Sequence, residues 1–534
     1  MNIAHGMSSM TTSLFRRAHA LHMHRQSDPL ARQERCLRRV RKLVARTVAA
    51  RATGAEGVAC YADYLRRLAP TTWHDWSPYV ERVDAGEKGV LFNDHARCMA
   101  MTSGTTGYLN KPVPYNEAMI AAFREYQFLV AGSMAHVCPG VNPAFDYRLG
   151  YASAQVRGGL NAKGLPRTYT STVLTASASP FTPRRFLPSP EVLAISDWDA
   201  KLAAICEAAR GRDVRIVTGI PLYMKAIFES LVARLGVTAL NVLWPNLSAF
   251  FYSGSNIEPY RDRLDALAGR RLTYLAGYVA TEGPLGFPVD DSGLMAFNLD
   301  HFLFSFLPVE GNAEVPWGID ALEPGGEYEV LLGMPNGFLQ YRTGDVIRVE
   351  SVTPLVAFRF VGRREATINL GNEKVSQPQL DSVFRRVREL ACVTATHYFV
   401  HPSEGGPHTG DKHARPRYVW TVACAEAWLD GEARSCVARR LESLLDAELM
   451  RESRNYEDSR LRDGLIGPPE IRLLPLEACD MLFARGRDRG QFKLKSVLRS
   501  ETEWRRLLTS DAKDNDPWPL RPHAGNVTTE RAPL

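Results

Sequence analysis

Met101-Thr102-Ser103-Gly104-Thr105-Thr106-Gly107-Tyr108-Leu109-Asn110-Lys111 is the run of sequence on which the reading of this chain turns. Four hydroxyl side chains and two glycines fall within residues 102–107. The run follows Cys98–Met101, an apolar tetrapeptide that reads as a strand. Glycine lets a backbone approach a ligand closely, and successive N–H groups with hydroxyls cradle phosphate oxygens. Lys111 adds a point charge beside them. The order is not GxxxxGK[ST], so no Walker loop is read here. An ordinary turn has a similar composition, and the surrounding chain has to decide.

Outward from this loop, short apolar runs alternate with helical stretches. Val214–Thr218 reads as a buried strand, and Pro221–Leu235 as a helix opened by proline. Leu247–Tyr252 and Leu272–Ala276 read as further strands. Upstream, Leu30, Leu37, Val40, Leu43, Val44 and Val48 share one helical face within residues 30–68, with arginines on the other. The alternation predicts an α/β layered domain. From Gly326 the pattern turns to β, with Tyr328–Leu332, Val346–Glu350 and Ala357–Val361 as strands. A boundary is placed after Val361. Beyond it, Gln379–Arg388 and Glu432–Leu449 read as helices, and Val393–Val400 and Tyr418–Ala423 as strands. The expected organisation is a large N-terminal domain over 1–361, a smaller α+β domain over 362–510, and a polar, proline-bearing, disordered tail over 511–534.

Composition narrows the class. With 534 residues, 45% of them hydrophobic, the chain is long enough for more than one core and too apolar for a disordered protein. No uncharged apolar run reaches the roughly 18 residues of a membrane span; the apolar stretch Phe302–Val309 reads as a buried strand. A net charge of +6, from 65 basic against 59 acidic residues, is too small for a dedicated nucleic-acid binder. The basic runs Arg16–Arg51 and Arg485–Arg506 are local, the first read as a solvated helix face. Nine scattered cysteines show no ligand or disulfide spacing, which points to reduced thiols in the cytoplasm. His401, His408 and His413 fall in or beside the Gly- and Pro-rich stretch 402–416, which is read as a surface loop and not a metal cluster. Met1–His24 lacks the apolar core of a secretory signal. A monomer is the default expectation.

Later segments give the loop its context. Tyr278-Val279-Ala280-Thr281-Glu282-Gly283 resembles the aromatic-x-x-Thr-Glu segment of the adenylate-forming superfamily, which joins carboxylic acids to AMP. Tyr341-Arg342-Thr343-Gly344-Asp345 resembles its YRTGD segment. Gly362-Arg363 resembles its hinge before a mobile C-terminal domain. Lys111 stands nine residues after Thr102, one further than in the TSGTTGxPK loop of most acyl-CoA ligases. That offset resembles the GH3 family of acyl-acid amido synthetases, although Gly107 comes one residue early. Asp75–Val83 with Gly86-Glu87, Gly371-Asn372-Glu373-Lys374-Val375 and Gly490-Gln491-Phe492-Lys493 also resemble GH3 segments. The arginine bias and the early Gly107 point to a bacterial member acting in specialised metabolism.

The resemblance implies a two-step, ATP-dependent ligase. A small carboxylic acid is adenylated with release of pyrophosphate, and an amine, usually of an amino acid, then takes the acyl group as an amide. It implies that Ser103, Gly104, Thr105, Thr106 and Lys111 hold phosphates, and that Glu282 holds Mg²⁺. Tyr278 would face adenine, Thr281 the α-phosphate, and Asp345 the ribose hydroxyls, with Arg363 beside it. Ser253, in Tyr252-Ser253-Gly254-Ser255-Asn256, would line the nucleotide and acyl pocket. Lys374 and Lys493 are the candidates to meet the α-phosphate or bridging oxygen. Arg157, Tyr151 and Tyr223 are candidates for the acyl pocket. Two alternatives stay open: a thioester product on coenzyme A or a carrier thiol, and a nucleotide-binding relative without catalysis. No PKTxSGK run accompanies Lys493, which speaks against the thioester.

Overall fold

The fold is seen in a computed structural model. It describes residues 3–101, 111–151, 159–161, 163–177, 185–195, 197–254, 257–258, 260–310, 314–364, 367–368, 370, 373, 375–403, 415–462, 466–487 and 494–509.

β1 (Cys98–Met101) and β2 (Pro112–Tyr115) pair antiparallel, with Met101 opposite Pro112, so the two ends of the 102–110 loop are pinned side by side. β3 (Tyr147–Gly150) belongs to the main sheet, whereas β4 (Arg167–Thr168) joins β1 in parallel. The main sheet continues through β5 (Phe186–Leu187), β6 (Val214–Gly219), β7 (Ala249–Ser253) and β8 (Thr273–Ala280). Its second half is β9 (Gly283–Pro288), β10 (Met295–Phe297), β11 (Leu303–Pro308), β12 (Glu327–Gly333), β13 (Tyr341–Ser351) and β14 (Ala357–Arg363). The order is β11-β12-β13-β14-β10-β9-β8-β7-β6-β3-β5.

The sheet has two regimes. From β5 to β8 every pairing is parallel, which requires crossover connections. These are the helices Trp198–Ala209, Pro221–Leu235 and Arg261–Ala268. Pro221 opens its helix at the first turn, and Gly236 closes it in the left-handed region at φ 64°. From β8 onward the pairings are antiparallel. The change falls at the two-residue turn Thr281-Glu282, where Ala280 faces Gly283. The helix Glu117–Val137, capped by the Asn116 side chain on the Met119 N–H, packs behind the seam and bonds it through the Tyr126 hydroxyl to the Gly286 carbonyl at 2.8 Å.

Past Gly362 come β15 (Thr367–Ile368), β16 (Val375–Ser376), β17 (Ala395–Ser403), β18 (Arg417–Cys424) and β19 (Glu470–Leu474). The last three form their own sheet. One of its faces buries Tyr398, Val400, Trp420 and Val422 against the helices Gln377–Ala391 and Gly431–Glu452. The other buries Phe399, Ala423, Leu474 and Leu482 with Trp504. Arg386 ties the two helices together through Glu448 and Glu452, at 2.6 and 2.7 Å.

Two expectations at the N-terminus need correction. The helical face read over residues 30–68 is three separate helices, Pro29–Val44, Val48–Ala52 and Tyr61–Arg67. Gly54 and Gly57 interrupt it, and Leu30 is exposed. The basic run there is also not wholly a solvated face: Arg32 is buried and ion-paired with Asp300. Its stem packs apolar surface, its Nη2 meets the Asp300 carboxylate, and its Nη1 donates to the Arg25 carbonyl at 3.4 Å.

Candidate active site

The seam between the parallel and antiparallel regimes lies at the carboxyl ends of β7 and β8. In open α/β sheets that is where ligands bind. Ser253 ends β7 opposite Gly277 of β8, and Tyr278 follows it. Gly277 has no room for a side chain, because a Cβ there would overlap the Phe251 ring and the Tyr126 hydroxyl. Gly283, at φ 142°, is likewise closed off by the Phe302 ring. Both glycines let the seam pack closely, and the turn carrying Thr281 and Glu282 is fixed between them.

Tyr278 is buried against Phe358 and Phe360, with ring centroids 6.2 and 5.8 Å away. Its hydroxyl donates to Asp345 Oδ2 at 2.7 Å. Arg363 Nε donates to Asp345 Oδ1 at 3.1 Å, and these two residues are also cross-strand partners on β13 and β14. Asp345 sits beside an irregularity in β13. The register against β12 slips between Glu329 and Leu331, Gly344 stands at φ 73°, and the Thr343 hydroxyl accepts from the Asp345 N–H while donating to the Val330 carbonyl. Such a bulge re-aims the side chain that follows it. Here it turns Asp345 toward Tyr278. The carboxylate still has acceptor capacity after these two bonds, since its oxygens offer about four lone-pair directions.

Glu282 is half-buried at the tip of the β8–β9 turn. Burial pushes its carboxyl above the usual range; Arg363 and Lys111 pull it back, and Asp345 pushes it further. Burial raises the Tyr341 phenol, and the nearby Glu282 carboxylate pushes it further. Tyr115, on β2, donates to the Thr281 carbonyl at 2.6 Å, which anchors the small sheet to the seam. Lys111 lies 5.8 Å from the Trp73 ring centroid and close enough to Glu282 to be felt by it. Glu282 and Asp345 offer carboxylate oxygens of the kind a hard cation takes, Arg363 and Lys111 beside them suit anionic oxygens, and no group of three metal-ligating side chains occurs among the described residues.

The structure therefore brings Lys111, Ser253, Tyr278, Thr281, Glu282, Asp345 and Arg363 to one end of the sheet. Ser103, Gly104, Thr105, Thr106, Arg157, Lys374 and Lys493 lie outside the described residues. Tyr151 and Tyr223 stack at 4.6 Å beyond the end of β6, with Phe483 edge-on to Tyr223 at 5.3 Å. Tyr223 is wholly buried. Tyr115, Tyr341 and Trp73 went unread as site residues. Tyr341 stood inside a motif segment, but nothing local marks its phenol as a neighbour of Glu282.

This architecture is shared with solved ligase structures. The solved GH3.15 acyl acid amido synthetase superposes with a TM-score of 0.72 at 17% identity, over 93% of this chain and 96% of that one. A 2-hydroxyisobutyryl-CoA ligase in its postadenylation state superposes at 0.60 with 12% identity, over 91% and 92%. Models of the GH3 family N-terminal, central and C-terminal domains match residues 22–218, 295–363 and 379–502. The chain belongs to the GH3 family. Similar curated proteins include indole-3-acetic acid-amido synthetase GH3.8 of Oryza sativa subsp. indica, 27% identical over 36% of this chain and 32% of that protein. Jasmonoyl--L-amino acid synthetase GH3.5 of Oryza sativa subsp. japonica is 26% identical over 47% of this chain and 45% of that protein. The chain thus spans between a third and a half of the length of these relatives.

Proposed function

We propose that this protein is an ATP-dependent acyl-acid amido synthetase. The observation that carries the reading is the joined set Tyr278, Asp345, Arg363 and Glu282 at the sheet seam. In the first step a substrate carboxylate oxygen attacks the α-phosphorus of ATP, and the bond to pyrophosphate breaks. In the second an amine nitrogen attacks the acyl carbon, AMP leaves, and the nitrogen loses a proton. Neither step needs a protein nucleophile, so positioning and charge stabilisation supply the rate.

In this reading Asp345 accepts from the ribose hydroxyls and Arg363 keeps it aimed. The 102–110 loop, with Ser103, Gly104, Thr105 and Thr106, and Lys111 at its exit, takes the outer phosphates. Glu282 would hold Mg²⁺, which neutralises phosphate charge when bound. Thr281 faces the α-phosphate, and Lys374 and Lys493 serve the reacting oxygens. Ser253, Tyr151, Tyr223 and Arg157 belong to the pocket wall. The same reading divides the chain at 361/362 and takes it as a cytoplasmic monomer acting on a small carboxylic acid and an amino acid. No helix among the described residues is long and apolar enough to cross a membrane.

The test is pyrophosphate release over a panel of carboxylic acids, followed by product mass with amino acids or coenzyme A. Acid-dependent release and an amide product support the proposal. A thioester replaces it, and silence across the panel with ATP still bound leaves only a nucleotide-binding protein.

A further inference from the structure

Glu329 on β12 is 1% exposed. Arg342 meets it two-pronged, Nε to Oε1 at 2.9 Å and Nη2 to Oε2 at 2.6 Å. Arg364 Nη1 adds a third bond to Oε2 at 2.9 Å. These arginines flank the nucleotide residues in a particular way. Arg342 is the last residue of β13 in register with β12 before the bulge that aims Asp345. Arg364 directly follows Arg363, and adjacent residues of an extended chain face opposite sides. So Arg363 reaches Asp345 while Arg364 reaches Glu329. One buried carboxylate thus holds both the entry to the bulge and the exit of β14.

We propose that Glu329 is a positioning residue for the nucleotide, clamping Arg342 and Arg364 so that Arg363 and Asp345 keep their mutual aim. This rests on the adenylation reading for what the pair binds. Two-pronged guanidinium–carboxylate bonds fix direction as well as distance. Removing the shared carboxylate leaves two guanidinium groups without their partner and frees the segment after Gly362. The prediction is loss of ATP affinity, with acid binding untouched, because the clamp touches neither β6 nor β7.

The experiment measures ATP binding by calorimetry and, separately, acid-dependent ATP–pyrophosphate exchange in wild type, Glu329→Gln, Arg364→Ala and Arg364→Lys. The Arg364 side chain is 41% exposed, so its variants keep the fold even where Glu329→Gln does not. Arg364→Ala should weaken ATP about tenfold, the effect of one lost charge-assisted bond. Arg364→Lys should recover most of that, and the KM for the acid should stay within about twofold. Unchanged ATP affinity in Arg364→Ala overturns the clamp, as does an equal rise in both KM values that tracks lost thermal stability. The calorimetric arm needs no acid, so it decides the clamp whatever the exchange panel decides about the reaction.

Discussion

The Tyr278 hydroxyl donates to Asp345 Oδ2 across 67 residues of sequence, at 2.7 Å and out of contact with bulk water. A buried phenol needs a partner, and a carboxylate is a strong one. Each residue therefore fixes the other, and Arg363 completes the set from β14. Tyr278→Phe removes one bond and leaves the ring packing between Phe358 and Phe360 in place. The folded state should lose about 1–2 kcal/mol, and Asp345 should lose its aim. ATP affinity from calorimetry should fall severalfold, and the same affinity as wild type would show that Arg363 alone positions the carboxylate.

Glu282 predicts a trade of stability against activity. Its carboxyl is raised by burial, so the folded chain holds a proton that the unfolded chain has lost above the ordinary 4.5. Stability from this group therefore declines as pH rises from about 4.5 through the raised value. Glu282→Gln removes the burdened charge. The ligand-free variant should melt higher than wild type at pH 7 and no higher at pH 4. On the proposed reading wild type should gain in melting temperature with ATP and Mg²⁺, and the variant should lose that gain. A variant that melts lower at pH 7 would mean the charge is stabilised in the free protein.

Gly283→Ala tests how tightly the seam is built. The new methyl meets the Phe302 ring at a backbone φ of 142°, which L side chains rarely adopt. The expected cost is about 2–3 kcal/mol from overlap and strain together. Chemical denaturation reads it directly, and a loss below 0.5 kcal/mol would show that Phe302 moves aside freely.

The helix Ile3–Arg25 gives a pH signature. Burial lowers both His19 and His22 from 6.5 to about 4; His136 assists for His19 and Arg32 for His22. Their neighbours also include Asp300, which pulls His22 the other way, and Arg25. The unfolded chain binds protons that the folded chain refuses between pH 6.5 and 4. Stability is thus complete above 6.5 and declines as pH falls through that window, by about 1–3 kcal/mol per ring. Limited proteolysis between pH 7 and 4.5 should release this helix first, and His22→Phe should flatten the response. Release of the C-terminal sheet ahead of it would place the weak point elsewhere.

Much of the architecture was readable along the chain because its causes are local. Pro221 and Gly236 bracket a helix by their own backbone preferences, and the observed element is Pro221–Leu235. Val214–Thr218, Tyr328–Leu332 and Ala357–Val361 fall within β6, β12 and β14, since runs of β-branched and aromatic residues suit a buried pleat. Leu247–Tyr252 and Leu272–Ala276 appear shifted, as β7 and β8, because strand ends are set by the neighbour that pairs with them. The motif residues Glu282, Asp345 and Arg363 were likewise legible as types in an order.

What the linear chain determined, then, was the identity of its elements and its membership of a family, both carried by short-range preferences and contiguous motifs. Tertiary structure alone decided that Tyr278 spends its hydroxyl on Asp345, that Tyr341 lies beside Glu282, and that one otherwise ordinary glutamate, Glu329, gathers two arginines from two different strand ends. Those contacts join strands that are distant in sequence, and register and bulge geometry exist only once the sheet has formed.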